Sequence, residues 1–342
     1  MRQDEVIGLL NPKHLNLILL PTEDCNFRCT YCYEDFATGR MAPWTIQAIK
    51  MLIDKRITRL HSFALSWFGG EPLIAKDIVA DLTEYAQRAS ASVGVTFSSD
   101  MTTNGYTLNS TTFDSLLKLG IHSYQISLDG DEYEHDKTRK LFSGKGSFAK
   151  IWSNLISMRS SKEPFQILLR IHLHGTNFES VKKLLGEINK NFGADARFVI
   201  FLKAIGNWGG SGVKTMKLAK SSPHTIDELN VYLGEIGWYN SRKTGSGLSD
   251  IRACYAALPN SFVIRADGSL AKCTVAFNDP RNCVGKINED GTLSIENQPM
   301  QSFMRGFQTL KESDLSCPIR EMPAKEQAIR IQNIPRLAHA TY

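Results

Sequence analysis

The sequence predicts an α/β fold, a partial (β/α)6 relative of the (β/α)8 TIM barrel followed by a small α+β unit. Three observations carry that expectation. Short, almost wholly apolar runs alternate with longer amphipathic stretches from about residue 15 to residue 205, the rhythm of a parallel sheet joined by right-handed helical crossovers. The rhythm then stops in a stretch rich in Gly, Ser and Lys, Gly206 to His224. Beyond about residue 248, short strand-like segments around turns replace it. The expected division is 1–205 for the barrel, 206–247 for a linking loop and helix, and 248–342 for the C-terminal unit.

Taken in order, "LNLILLP" reads as a strand covered on both faces. "WTIQAIKMLIDKRITRL" places Ile46, Ile49, Leu52, Ile53, Ile57 and Leu60 on one helical face. "FALSWF" is the second strand, with a helix near 75–90, and "VGVTFSSDMTT" is the third. "STTFDSLLKLG" is a short helix stopped by Gly120. "HSYQISLD" and "FQILLRIHLH" are the fourth and fifth strands, each followed by a helix, the second of which has Asn177 as its cap. "RFVIFLKAI" is the sixth. The Gly206–His224 stretch reads as a mobile connection or a flap facing the substrate. "TIDELNVYLGEIGWYN" is helical, "SFVIRADGSLAKC" is a hairpin turning at Asp267-Gly268, "GTLSI" is a strand, and 300–311 is a helix.

Hydrophobic residues make up 42% of the chain and charged residues 22%, the balance of a folded globular protein. A net charge of +5 is too small for the basic stripe of a nucleic-acid binder. The N-terminal stretch lacks the pattern of a secretory signal, and no run reaches the roughly 18 apolar residues of a spanning helix. Cytoplasmic location is expected, with neither membrane nor nucleic acid as partner. In a reducing compartment clustered cysteines bind metal or do chemistry, and the odd total of seven argues against a closed disulfide framework.

Three of those cysteines stand in "CNFRCTYCYEDF", at spacing C-x3-C-x2-C: Cys25, Cys29 and Cys32. Zinc sites usually take four ligands in paired C-x2-C units. A [4Fe–4S] cube held by three thiolates keeps one iron open for a chelating ligand. The loop follows the first strand, at the end of the sheet where barrels of this kind build active sites.

Placed there, "CNFRCTYCYE" resembles the radical S-adenosylmethionine (SAM) enzymes, whose cluster motif is C-x3-C-x-aromatic-C, with Tyr31 in the aromatic position. Later strand ends extend the resemblance over about residues 15–205. Gly69, Gly70 and Glu71 of "WFGGEPL" match the segment that meets the SAM amino group. Thr103 and Asn104 of "MTTNG" stand where the family places ribose contacts. Ser127 and Asp129 end the fourth strand, and Arg139 of "HDKTR" matches the arginine that pairs with the SAM carboxylate. Arg170, on the fifth strand, is a further polar candidate. His172 and His174 share a face of that strand and read either as candidates for proton transfer or as hydrogen-bonded structural residues.

The other four cysteines, Cys254, Cys273, Cys283 and Cys317, all fall in the C-terminal unit. Gly268 to Cys273 reads G-x4-C, which resembles the opening of the SPASM and twitch extensions that carry auxiliary clusters. The resemblance implies one auxiliary [4Fe–4S] cluster with Cys254, Cys273 and Cys317 as ligands, and with Cys283 either as the fourth or as a buried thiol that leaves the cluster open for substrate.

What the resemblance implies for function is reductive cleavage of SAM, bound to a [4Fe–4S] cluster, to methionine and a 5′-deoxyadenosyl radical that abstracts hydrogen from an unactivated carbon. Family members with such extensions mostly modify peptides. The implied activity is therefore that of an oxidoreductase forming a C–C or C–heteroatom crosslink, or oxidising a side chain, in a ribosomally made precursor peptide. The implied partners are that peptide and a reductant such as flavodoxin or ferredoxin, with the leader bound either by a separate leader-binding protein or directly by a sheet edge or the 206–222 loop. Sulfatase maturases resemble one another in having an acid directly after the G-x4-C cysteine, where this chain has Thr274. The alternatives are a radical SAM dehydrogenase or rearrangement enzyme for a small metabolite, and a non-catalytic iron–sulfur electron carrier.

Overall fold

The computed structural model describes residues 8–34, 36–210, 212–218, 223–238, 253–320 and 322. The first apolar run forms β1 (His14–Leu19), with Leu15, Leu17, Ile18 and Leu19 all buried. A short β2 (Phe27–Cys29) follows. The helix Pro43–Ile57 then buries Ile49, Leu52 and Ile53 on the sheet, as its 3.6-residue apolar spacing requires. β3 (Ser62–Trp67), the helix Lys76–Ser92 and β4 (Thr96–Thr103) complete the next turn of the pattern. The helix Ser110–Lys118 starts on Asn109, whose side chain accepts from the Thr112 amide, one of the donors a helix N-terminus leaves open. β5 (Ile121–Leu128) is followed by the helix Glu132–Thr138, β6 (Arg139–Leu141) and the helix Phe148–Met158. β7 (Gln166–Leu173), the helix Phe178–Phe192 and β8 (Phe198–Ala204) close the series.

β1, β3, β4, β5, β7 and β8 pair in that order, every pair parallel. These are the six strands expected of a partial barrel, with helices covering the outer face. β2 and β6 form a separate antiparallel ribbon, Phe27 opposite Leu141, Arg28 opposite Lys140 and Cys29 opposite Arg139. At three residues each, these strands are too short for a two-residue period to register in the sequence.

After the helix Pro223–Glu235, the predicted hairpin appears as β9 (Ser261–Ile264) and β10 (Ser269–Ala271), followed by β11 (Cys283–Ile287) and β12 (Leu293–Ile295). β9 pairs in parallel with β1, from Asn16 opposite Ser261 to Leu19 opposite Ile264. The C-terminal strands therefore continue the barrel sheet, in the order β12-β11-β10-β9-β1-β3-β4-β5-β7-β8 among the described residues.

Two local expectations are corrected. The single helix over 300–311 is instead two, Asn297–Met304 and Gly306–Thr309. Arg305 lies at the break, where its guanidinium bonds Asp314 and the Ser302 and Pro318 carbonyls. Asn177 stands at the start of its helix but makes no side-chain cap. Its amide donates to the carbonyls of Asp129 at 2.7 Å and His172 at 2.9 Å, and its Oδ1 accepts from the His174 amide, so it clamps the ends of β5 and β7 together. Among the described residues no helix is long and apolar enough to cross a membrane.

Candidate active site

The cysteine loop leaves β1 and enters the ribbon, so Cys29 is held by strand pairing opposite Arg139. The Phe27 amide donates to Cys25 Sγ at 3.3 Å, and the Cys32 amide to the Cys29 carbonyl at 3.1 Å. All three thiols face one cavity. Burial, and then the charge of Glu71, push the Cys25 thiol far above its ordinary range. Burial raises Cys29, against the pull of Arg139. Burial and the neighbouring Cys29 push Cys32 up to about 12. Three partly buried thiols whose ionisation is disfavoured, Cys25 and Cys32 in part by their neighbouring cysteines, are what a cationic centre would relieve.

Tyr31 ties this loop to the barrel. Its hydroxyl accepts from Arg139 Nη1 at 2.8 Å and donates to Asp129 Oδ1 at 3.0 Å. Asp129 also accepts from Thr138 Oγ1 at 2.6 Å and from His172 Nδ1 at 3.1 Å. Arg170 Nε donates to His172 Nε2 at 3.0 Å, which places the imidazole proton on Nδ1. Burial alone would raise the Asp129 carboxyl, but the His172 hydrogen bond and the Arg139 charge outweigh it and hold it well below the carboxylate range. Burial keeps His172 neutral, its pKa lowered to about 4.

Glu71 is fully buried, and its carboxylate accepts from the Leu73 amide at 3.1 Å, Thr103 Oγ1 at 2.7 Å and the Asn104 amide at 2.7 Å. It joins the end of β3 to the end of β4. The preceding glycines seat that turn on the backbone leading to the cysteines: a Cβ on Gly70 would lie 2.2 Å from the Asp24 carbonyl oxygen. On the other side, the stretch after β8 packs back on the same loop, since a Cβ on Gly212 would meet the Thr30 carbonyl oxygen at 2.0 Å. The described part of the expected flap is thus a wall of the cysteine loop.

Of the sequence-predicted residues, Tyr31, Gly69, Gly70, Thr103, Asn104, Ser127, Arg139, Arg170 and His172 line the cavity with the three cysteines. Glu71, Asp129 and His174 do not line it; the first two are fully buried behind it. His174 bonds Thr176 Oγ1 through Nδ1, and its buried Nε2 has no partner. Strand register explains the arrangement: Thr102 pairs with Gln125, Ser127 with Arg170 and His172 with Lys203, so these polar side chains form a row across the inner face. Lys203 was missed, although it interrupts the apolar run "FVIFLKAI" as Arg170 interrupts "ILLRIHL". Tyr33, Trp208 and Val275 also line the cavity and carry no local signal; Thr274, the residue after the G-x4-C cysteine, lines it too.

Thr274 and Val275 bring in the C-terminal cysteines. Cys254, Cys273 and Cys317 pack against the main core. The Cys254 amide donates to the Leu315 carbonyl at 2.8 Å, and the Asn282 side chain grips Cys273 at both its amide and its carbonyl. Burial, then Cys254 and Cys317, push Cys273 up to about 12. Burial and Cys317 likewise raise Cys254. Cys283 is not brought in with them: it is exposed on β11, opposite Ala271. Among the described residues no three His, Cys, Asp or Glu converge on a point that would hold a single metal ion. A cube spreads its thiolates over its corners instead of converging them on one ion.

The cysteine-type anaerobic sulfatase-maturating enzyme of Clostridium novyi is 26% identical over 203 residues, 56% of this chain and 52% of that one. A GTP 3′,8-cyclase of Microcystis aeruginosa is 25% identical over 299 residues, 80% of this chain and 81% of that one. The chain spans only 37% and 52% of the length of the first two curated relatives it matches. Among solved structures, native anSMEcpe with bound AdoMet and the Cp18Cys peptide superposes with a TM-score of 0.64 at 18% identity, covering 84% of this chain and 80% of that one. Streptococcus suis SuiB bound to precursor peptide SuiA gives 0.58 at 14% identity, covering 88% and 70%. These likenesses show the partial-barrel fold. The Radical SAM superfamily model matches residues 19–188, the span that holds the cysteine loop and the strand ends around it, and the chain belongs to the radical SAM superfamily.

Proposed function

We propose that this radical SAM enzyme modifies a side chain of a ribosomally made peptide, with Cys25, Cys29 and Cys32 holding the [4Fe–4S] cluster and the adjoining cavity holding SAM. The observation that carries the reading is the convergence of those three thiols with Arg139 on one cavity. Arg139 is buried, and its Nε has no partner, so it fits a carboxylate. When bound, the cluster supplies the electron that splits SAM into methionine and a hydrogen-abstracting radical. The protein's own groups do the rest. Tyr31 and Asp129 hold the Arg139 fork in place, Ser127 and Asn104 offer hydrogen bonds to the nucleoside, and Thr274 and Val275 close the far wall against water.

Cys254, Cys273 and Cys317 are read as ligands of one auxiliary cluster, with Cys283 outside the set. A peptide substrate draws support from the likeness to SuiB, whose structure holds a precursor peptide, and to the sulfatase-maturating enzyme. The test is mass spectrometry of candidate precursor peptides incubated anaerobically with the cluster-loaded protein, SAM and dithionite. A loss of two hydrogens from one peptide is expected. Cys273→Ala should abolish it and Cys283→Ser should retain it. SAM cleavage that never alters any peptide but consumes a small metabolite would overturn the peptide reading.

A further inference from the structure

The cavity carries its cations in two separate places. Arg139 stands beside the first cysteines, opposite Cys29 in the ribbon. Arg170 and Lys203 stand on β7 and β8, the last two strands of the parallel row. Register sets Arg170 opposite Phe201, whose ring its guanidinium faces at 6.0 Å. Lys203, two residues further along β8, projects to the same side. Among the described residues neither cation has a carboxylate partner, and Glu34, a carboxylate on the cavity lining, pairs with neither. Arg170 Nε donates to His172 Nε2 at 3.0 Å, and no other hydrogen bond engages its two Nη groups. Burial, and then the charges of Arg170 and Arg320, lower the Lys203 pKa. Two cations without a counter-charge on one cavity wall repel each other, and an anion set between them removes that cost.

We infer that Arg170 and Lys203 form a second anion subsite, which takes a carboxylate of the substrate; the inference rests on the reading of this cavity as the place where SAM and a peptide meet. SAM brings one carboxylate and no phosphate, and buried Arg139, with its unpartnered Nε, accounts for it. The second pair therefore needs an anion that arrives with the substrate. A guanidinium whose Nε is committed offers its two Nη groups as one flat edge, and parallel N–H···O bonds from such an edge match the two oxygens of a carboxylate. Lys203 adds a point charge beside it. A peptide has this chemistry in an Asp or Glu side chain and in its free C-terminus. The surroundings suit a chain, because Trp208 lines both this cavity and an open groove that it shares with Ala276, Asn278 and Arg320. A peptide anchored on the pair has a path out along that groove. The anchor fixes one point of the substrate, so the carbon presented to SAM is a neighbour of an acidic group.

The experiment measures, by anaerobic calorimetry, the affinity of the cluster-loaded protein holding SAM for defined probes. These are C-terminally amidated alanine peptides with a central Glu or a central Gln, the Gln peptide with a free C-terminus, N-acetylglutamic acid α-amide, and tripolyphosphate. The Glu peptide or the free-C-terminus peptide is expected to bind about tenfold more tightly, or better, than the amidated Gln peptide. Which of the two does so identifies the source of the carboxylate. Lys203→Met and Arg170→Gln should each remove most of that preference, and Lys203→Met should keep its affinity for SAM. No carboxylate bound, equal affinity for acid and amide, or a preference that survives both substitutions would overturn the inference. So would a SAM affinity that falls in step with the preference in Lys203→Met, which would assign the pair to the cofactor. Tripolyphosphate bound more tightly than any carboxylate would make the pair a phosphate site and overturn it as well. N-acetylglutamic acid α-amide bound through Arg170 and Lys203, with no peptide bound, would keep the subsite and sink the peptide reading alone.

Discussion

Glu71 and Asp129 show how a motif residue can serve a site without touching its contents. Both are fully buried behind the cavity. Glu71 binds the ends of β3 and β4 through three donors, while Asp129 fixes Tyr31 and His172. Replacing Glu71 by Gln turns one acceptor into a donor facing another donor, an unsatisfied contact worth about 1–3 kcal/mol. The urea midpoint should fall accordingly, and an unchanged midpoint would show that the carboxylate is not the fastener described. The sequence placed both residues at the site, because the motif spacing is local. It did not separate those that line the cavity from those that brace it, since that depends on which way a side chain turns once three strands are assembled.

At the scale of the element, the six parallel strands and their helices were legible because each has enough residues for its apolar period to register. The ribbon was not, and Asn177 looked like a cap because a cap is the commonest local use of asparagine before a helix. The helix Glu132–Thr138 adds a pH-sensitive joint. His135 is fully buried, its Nδ1 accepting from the Asp129 amide at 3.3 Å and its Nε2 facing Ser147 Oγ at 3.1 Å. Burial lowers its pKa to about 4. A histidine depressed in the folded state binds more protons when unfolded, between its folded pKa and about 6.5. Stability should therefore be full above about pH 6.5 and fall as the pH drops toward 4, by about 1.4 kcal/mol per pH unit for one proton at the steepest. His135→Asn should unfold more easily at pH 7 yet show a shallower loss on acidification, followed by thermal melts from pH 7 to pH 5. A slope equal to that of the unaltered protein would exclude His135 as a contributor.

At the scale of the molecule, the change of rhythm after residue 205 is clear in the sequence, but the pairing that carries the sheet across it is not. β9 lies beside β1 although Ser261 pairs with Asn16 from far along the chain, and no local pattern records such a partner. That join sets Thr274 and Val275, the two residues after Cys273, into the wall of the cavity that holds Cys25, Cys29 and Cys32. The central claim is that the first set holds a cluster whose uncovered iron takes SAM. The most direct measurement is the yield of 5′-deoxyadenosine from SAM, under anaerobic conditions with dithionite, in the iron- and sulfide-loaded protein and in its Cys29→Ala variant. Formation by the unaltered protein and none by the variant is the predicted result. No 5′-deoxyadenosine from the fully loaded protein, or equal yields from both, would contradict it.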